Sequence, residues 1–329
     1  MAGRSLVLRD RLFAEVVATL YVVAVALGAQ LSGWLYVLFP ALGALSHDVL
    51  TRPWGKWASQ PARLIITPAV AAAIGTLVTR EFPYRVSTIL LSITVSLLLL
   101  AAFKSNIAPA IAAGMLPLVL GIKSWLYPAS IVIGLVALVA VFSAWRTHYR
   151  RKYQGAAESL TEDIDDLLET PPAGIVWIPS FYVFVTVMAL CATGSGIRLV
   201  LFPPLIVMAY EMFAHPATCP WAGKPLALPL ACSLTAIAGW LAVSLFGRGG
   251  VAAACAMVLG IIVLRVLRIH MPPALAIGLL PLIIHCPSIR YPVSVTIGAS
   301  ALTLSYLLYR RWIIGAGRVG ECAATTPGV

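Results

Sequence analysis

Polar residues that could bind an ion recur at a nearly constant spacing in this apolar chain. Asn106 and His270 are 164 positions apart, as are Lys104 and Arg268. A shift of 163 pairs four more polar residues, Asp48 with Glu211 and Arg52 with His215. Amide, imidazole and cationic groups can hydrogen-bond and attract a small anion, whereas carboxylates beside them can exchange protons. The first two pairs therefore predict a binding site, and the other two predict a gating or coupling role.

Prolines stand near these residues, at the predicted starts of four short helices. Pro109 and the Pro272-Pro273 pair begin two of them, and Pro40 and the Pro203-Pro204 pair begin the others. Proline is preorganised for the first turn of a helix, and a helix start presents unpaired N–H groups and a partial positive charge. The predicted substrate-binding residues are Asn106, Pro109, His270, Pro272, Pro273, Lys104 and Arg268. The alternative for the charged members is a position in the headgroup region, where their side chains extend to water.

The composition of the chain indicates the environment of these residues. Hydrophobic residues make up 60% and charged residues 11% of the 329 positions, and the mean hydropathy is +0.95. Soluble domains contain about 25% charged residues, so the composition excludes a soluble enzyme, a nucleic-acid-binding domain and a disordered chain. The net charge of +11 is typical of basic loops at a membrane surface. We therefore predict a polytopic membrane protein whose partner is the lipid bilayer.

The two halves of the chain resemble each other in sequence. Leu38-Phe39-Pro40 recurs as Leu201-Phe202-Pro203, and 13 of 28 positions are identical between 107–134 and 271–298. Shared apolar composition gives some identities, but it does not explain matched Gly and Pro residues at one constant shift. The sequence therefore predicts an internal duplication.

Each half contains four apolar runs of a length suited to a membrane span. They cover 12–38, 63–79, 86–103, 127–145, 175–201, 225–247, 249–267 and 291–309. We predict an all-α polytopic membrane protein with about eight transmembrane helices in two repeated four-helix halves, each with short re-entrant helices. The segments 107–122 and 272–285 leave an alternative open, in which they cross the membrane and the repeats are inverted.

Four regions follow from this division. They are membrane repeat 1 at 1–146, a polar cytoplasmic linker at 147–173, membrane repeat 2 at 174–312 and a C-terminal tail at 313–329. The loops on the side of the N-terminus have a weak excess of Lys and Arg, which favours both termini in the cytoplasm. The expected location is the cell inner membrane or plasma membrane.

Two segments resemble a known family. The run RIHMPPALAIGLLPLIIHCPSIRYPVSVTIGAS at 268–300 is similar to the signature of the HPP family of integral membrane proteins, in which a His-Pro-Pro run lies between the last two of four spans. The run WASQPARLI at 57–65 resembles the Gln-Pro-Arg element that precedes the second span of that family. Plant chloroplast relatives are associated with nitrite transport, so the resemblance implies a transporter of a small anion.

Three functions remain open at this stage. A membrane transporter or channel for a small anion agrees with the basic residues, the helix starts and the resemblance. A membrane scaffold or sensor subunit would use the linker to bind a partner, and an intramembrane lipid-modifying enzyme would use Asp48, Glu211 and the histidines as acid and base groups. The sequence lacks the motifs HExxH, GxSxG and GxxxxGK[ST], so we predict no enzyme, no cofactor and no metal. A homo-oligomer is left open.

Overall fold

The helices follow one another with short connections in the computed structural model, which describes residues 2–53, 55, 57–152, 175–216 and 219–314. In the first half they are α1 (Ala2–Ser32), a 3₁₀ turn (Leu35–Val37), α2 (Ala41–Thr51), α3 (Pro61–Glu81), α4 (Val86–Ala102), α5 (Pro109–Leu120) and α6 (Leu126–Lys152). In the second half they are α7 (Trp177–Ser195), a 3₁₀ turn (Arg198–Leu201), α8 (Pro203–Ala214), α9 (Ala227–Phe246), α10 (Gly250–Val266), α11 (Pro273–Leu279) with a 3₁₀ turn (Leu280–Leu282), α12 (Arg290–Tyr309) and a π-helical turn (Arg310–Ile314). The order of elements is thus the same in both halves, and the described residues contain no strand.

Six helices are long and apolar enough to cross a membrane, which is consistent with a multi-pass helical membrane protein. They are Arg9–Ser32, Pro61–Glu81, Leu126–Thr147, Trp177–Ser195, Ala227–Phe246 and Arg290–Trp312. The two other predicted spans, α4 and α10, have 17 residues each. At about 1.5 Å per residue each is about 25 Å long, slightly less than the hydrocarbon thickness of about 30 Å.

The predicted linker and tail lie largely outside the described residues. Helix α6 continues to Lys152, so 147–152 of the predicted linker are helical, and 153–173 are not described. Of the predicted tail, 313–314 belong to the π-helical turn and 315–329 are not described.

The four short helices α2, α5, α8 and α11 form the interior of the protein. Each contacts two of the others, so that they make a closed ring, and nearly all of their residues are buried. Their first turns meet around a small cavity of about 10 Å³ lined by Ala41, Ala44, Pro109, Ala112, Pro204, Val207, Pro273 and Ala276. The long helices, in contrast, expose Leu, Ile and Val side chains such as Leu20 and Val183, as expected for a lipid-facing surface.

Glycines allow two long helices to approach the short ones closely. A Cβ atom on Gly75 of α3 would overlap the carbonyl oxygen of Gly114 in α5, and a Cβ atom on Gly239 of α9 would overlap that of Gly278 in α11. Small residues at helix crossings allow backbone contact within membranes. The two crossings are 164 positions apart in the chain, so glycines related by this shift make equivalent contacts.

Replacement of Gly239 by Ala is expected to lower the apparent melting temperature of the detergent-solubilised protein. The added methyl group meets backbone rather than a flexible side chain, and overpacking of this kind costs about 1–3 kcal/mol. Gly28→Ala in α1 is the matched control, because nothing lies within 4 Å of the added Cβ. Equal melting temperatures for the two variants would contradict this account of the crossing.

Candidate functional site

Seven ionisable side chains from both halves form one polar cluster. It lies where the first part of α1, the end of α2 and the end of α10 come together, and we call it the junction cluster. Its members are Arg11, Glu15, His47, Asp48, Arg52, Arg265 and His270. Ionisable groups next to apolar membrane helices are costly unless they are paired, so each contact within the cluster bears on its role.

Glu15 is the centre of the first network in this cluster. Its side chain is buried, and its Oε2 accepts a hydrogen bond from the Arg265 guanidinium. Its Oε1 lies 3.5 Å from Arg11 Nε and 3.8 Å from His47 Nε2. The carboxylate is therefore compensated by two arginines, as a buried charge requires, while His47 faces it without a hydrogen bond.

Asp48 is the centre of the second network. Its Oδ1 lies 2.9 Å from His270 Nε2 and 3.4 Å from Arg52 Nη1. Arg52 Nη1 is also 3.2 Å from His270 Nε2. Because a guanidinium can only donate, a proton on His270 Nε2 must point to Asp48, and an unprotonated Nε2 can accept from Arg52.

The geometry of α2 connects the two networks. Asp48 and Arg52 are one helical turn apart, so they lie on the same face. His47 and Asp48 are neighbours, so their side chains diverge by about 100° around the helix axis. One reaches Glu15 of α1 and the other reaches His270. The rings of His47 and His270 are 6.4 Å apart between centroids.

Two cavities open beside the junction cluster. The first has a volume of about 370 Å³ and is lined by Arg11, Glu15, His47, Ile261, Leu264, Arg265, Arg268, Ile269 and His270. The second has a volume of about 380 Å³ and is lined by Asp10, Arg11, Ala14, Leu50, Thr51, Arg52, Pro53, Trp145 and His270. Arg11 and His270 line both cavities. The first cavity combines three arginines and two histidines with one carboxylate, so its potential attracts anions.

The structure brings four of the sequence-predicted residues together at this cluster. His270, Asp48 and Arg52 are in direct contact, and Arg268 lines the first cavity. The sequence repeat separated them into a binding group and a gating or coupling group. The contact between Asp48 in one half and His270 in the other joins the two groups at one site.

The other predicted residues lie elsewhere. Lys104 is exposed, and its carbonyl oxygen accepts a hydrogen bond from Arg63. The carbonyl oxygen of half-buried Asn106 accepts one from Trp57. Pro109 and Pro273 line the central cavity, and Pro272 is buried directly before α11.

Glu211 and His215 lie at the end of α8, the second-half counterpart of α2. Both are half-buried, and the His215 ring packs edge-on against Tyr210 with centroids 5.8 Å apart. The neighbouring positions 217–218 are outside the described residues. Neither Glu211 nor His215 is among the residues that line the two cavities beside the junction cluster.

Sequence reasoning missed four members of the junction cluster: Arg11, Glu15, His47 and Arg265. A signal was present, because Glu15 and Arg265 interrupt apolar helices and ionisable residues at such positions indicate a site. His47 directly precedes a residue that was singled out. None of the four has a charged or histidine counterpart at the repeat shift of its region, so the shift does not single them out.

The class of the protein follows from the fold and the site: a multi-pass helical membrane protein with an ionisable cluster between its halves. No group of His, Cys, Asp or Glu side chains suited to hold a metal ion occurs within the part of the chain that the structure describes. Comparison of the chain with protein-family models, with curated proteins and with solved structures gave no match. The resemblance to the HPP family therefore rests on its sequence motifs alone.

Proposed function

We propose that the protein is a transporter or channel for a small anion such as nitrite, with the binding site at the junction cluster. The observation that carries this proposal is the first cavity, where Arg11, Arg265 and Arg268 face one compensated carboxylate. A cleft that is lined by positive charges and surrounded by protein of low dielectric constant raises the local concentration of anions. The resemblance to the HPP family also suggests a small anion such as nitrite, although it draws on the same segments of the chain.

The proposed architecture is an internal duplication with eight continuous membrane-crossing helices. In its support, contacts recur at the 164-residue shift: the Tyr127 hydroxyl donates to the Ala113 carbonyl oxygen, and the Tyr291 hydroxyl donates to that of Ile277. Lys104 and Arg268 also share a left-handed backbone conformation, with φ of 46° and 50°.

The sequence predicts re-entrant helices, but the four short helices would instead cross the membrane together with the short segments that precede them. Helix α2 alone is about 16 Å long, about half of the hydrocarbon thickness. Tyr36 lies 3.4 Å from His285, whereas Asp48 lies 2.9 Å from His270. The segments 36–48 and 270–285 thus run side by side in opposite directions. With such crossings, each half begins and ends on the same side and the repeats are parallel, with both termini in the cytoplasm.

Anion flux into liposomes that contain the purified protein tests the proposal. Nitrite, nitrate, formate, chloride and bicarbonate are compared with protein-free liposomes. Saturable flux of at least one anion, lowered by His270→Gln, is the expected result. Absence of flux for all five anions, from folded protein in either orientation, would contradict a transport function and favour a scaffold or sensor role.

Removal of the two matched basic residues is expected to lower flux most at low ionic strength. Lys104 and Arg268 are exposed, so their attraction for an anion at the entrance is screened by salt, with a Debye length of about 10 Å at 0.1 M. Flux of the double variant Lys104→Gln/Arg268→Gln is measured against that of the unmodified protein across a salt series. The control is Arg80→Gln, because Arg80 packs over Trp125 at the other end of α3. If the flux of the double variant, divided by that of the unmodified protein, does not change with salt concentration, the two residues do not have this entrance role.

A further inference from the structure

Two histidine–carboxylate pairs lie side by side at the junction cluster. His47 faces Glu15 at 3.8 Å, and His270 contacts Asp48 at 2.9 Å. The pairs are connected through α2, because His47 and Asp48 are adjacent in the chain. Histidine is the side chain whose charge changes near neutral pH, and a carboxylate next to it can accept or return its proton.

The first pair contains two buried polar atoms without a hydrogen-bond partner. They are Glu15 Oε1 and His47 Nδ1. Both residues are about 5% exposed, and buried polar atoms of this kind are uncommon unless they have a role or bind water. A proton bound by His47, which lines the first cavity, supplies a donor at each ring nitrogen, and the donor at Nε2 faces Glu15.

The charges around His47 make proton binding and anion binding depend on each other. Arg11 of α1 and Arg265 and Arg268 at the end of α10 disfavour a further positive charge, while Glu15 and Asp48 favour it. His270 and Arg52 complete the set of charged and titratable groups near the two pairs, and Asp10 lines the second cavity. An anion in the first cavity adds a negative charge beside His47. Each ligand therefore strengthens the binding of the other, as linkage requires.

We propose that the Glu15–His47 pair, assisted by Asp48–His270, binds a proton that moves together with the anion. This inference rests on the proposed transport function and adds the coupling ion. A proton that enters through the first cavity, which His47 lines, binds the imidazole and gives an imidazolium next to Glu15. The same proton leaves the ring when the anion is released. One monovalent anion and one proton cross together, so no net charge is moved.

Simultaneous measurement of anion flux and internal pH tests this coupling in liposomes that contain the full-length protein. The membrane voltage is held at zero with potassium and valinomycin. Nitrate and chloride are the preferred probes, because their conjugate acids are strong and do not carry protons across the bilayer. For nitrite, the flux into protein-free liposomes is subtracted. The expected result for the unmodified protein is inward acidification with about one proton per anion.

Two conservative variants test whether Glu15 and His47 bind the proton. Glu15→Gln and His47→Gln are each expected to lower the ratio of protons to anions by at least about five-fold, whereas the control His285→Gln keeps the ratio of the unmodified protein. His285 is an imidazole at the opposite end of the segment that begins at His270, where it contacts Tyr36. Size-exclusion profiles verify that each variant is folded.

The outcomes separate this inference from the function on which it rests. Anion flux without proton movement in the unmodified protein overturns the coupling and leaves the transport function intact. Absence of flux for every anion overturns the transport function and the coupling with it. Coupled flux that survives in both variants overturns the assignment to Glu15 and His47.

Discussion

Reversal of the charge at Arg11 is expected to lower anion flux by at least about ten-fold. Arg11 lines both cavities of the junction cluster and lies 3.5 Å from Glu15. A unit charge about 7 Å away, at an effective dielectric constant of about 20, contributes about 2 kcal/mol. This exceeds the 1.4 kcal/mol that corresponds to about a ten-fold change in affinity. Arg11→Glu changes the cavity by two charges, so the loss of anion binding is expected to be large. Initial rates in liposomes measure the effect.

Two further variants show whether this loss arises from charge at the cavity. Arg11→Lys keeps the charge and is expected to retain most of the flux. Arg9→Glu makes the same charge change on the same helix, at an exposed residue that lines neither of the two cavities. An equal loss in Arg9→Glu and Arg11→Glu would show a general surface effect and would contradict a binding role for this cavity.

Replacement of Arg265 by Ala is expected to destabilise the folded protein. The change leaves the buried Glu15 carboxylate without its direct hydrogen-bond donor. Breaking a fully buried ion pair costs about 3–5 kcal/mol. The Arg265 side chain is 38% exposed, and water compensates part of this loss, so a cost of about 1–3 kcal/mol is expected. A fall in the apparent melting temperature in detergent measures it.

A double variant separates the lost charge partner from the lost packing of the arginine side chain. In Glu15→Gln/Arg265→Ala, position 15 no longer holds a carboxylate that needs a charged partner. The melting temperature of this double variant is therefore expected to recover most of the decrease caused by Arg265→Ala. Arg290→Ala, at the exposed start of α12, gives the background effect of removing an arginine. If the double variant is no more stable than Arg265→Ala, the ion pair with Glu15 does not account for the destabilisation.

The positions of the helices could largely be predicted from the sequence, because they depend on local signals. Each predicted proline start coincides with the beginning of a short helix, as Pro109 and Pro203 illustrate. Gly114 and Gly278, which match at the 164-residue shift, lie where Gly75 and Gly239 approach them closely. Proline geometry and backbone approach are properties of single residues and their immediate neighbours.

The set of residues that forms the site could be predicted less well, because it depends on which helices pack against each other. The constant shift relates positions in one half to positions in the other. It does not predict that Asp48 of the first half contacts His270 of the second. That contact follows from the ring of short helices, in which α2 packs against α11 of the other half as well as against helices of its own half. Glu15 and Arg265 are 250 positions apart, and no local pattern connects them.

The apolar centre of the ring has a consequence for the rate at which the protein could operate. A cavity of about 10 Å³ lined by alanine, proline and valine holds at most one water molecule, so no hydrated ion passes through it without separation of the short helices. Collective helix motions take microseconds to milliseconds. An ion that takes this route waits for such a rearrangement, and throughput resembles the turnover of an enzyme more than the current of an open pore. If the proposed transport takes this route, a steeper gradient would not raise the flux once the site is saturated, because it does not shorten the wait.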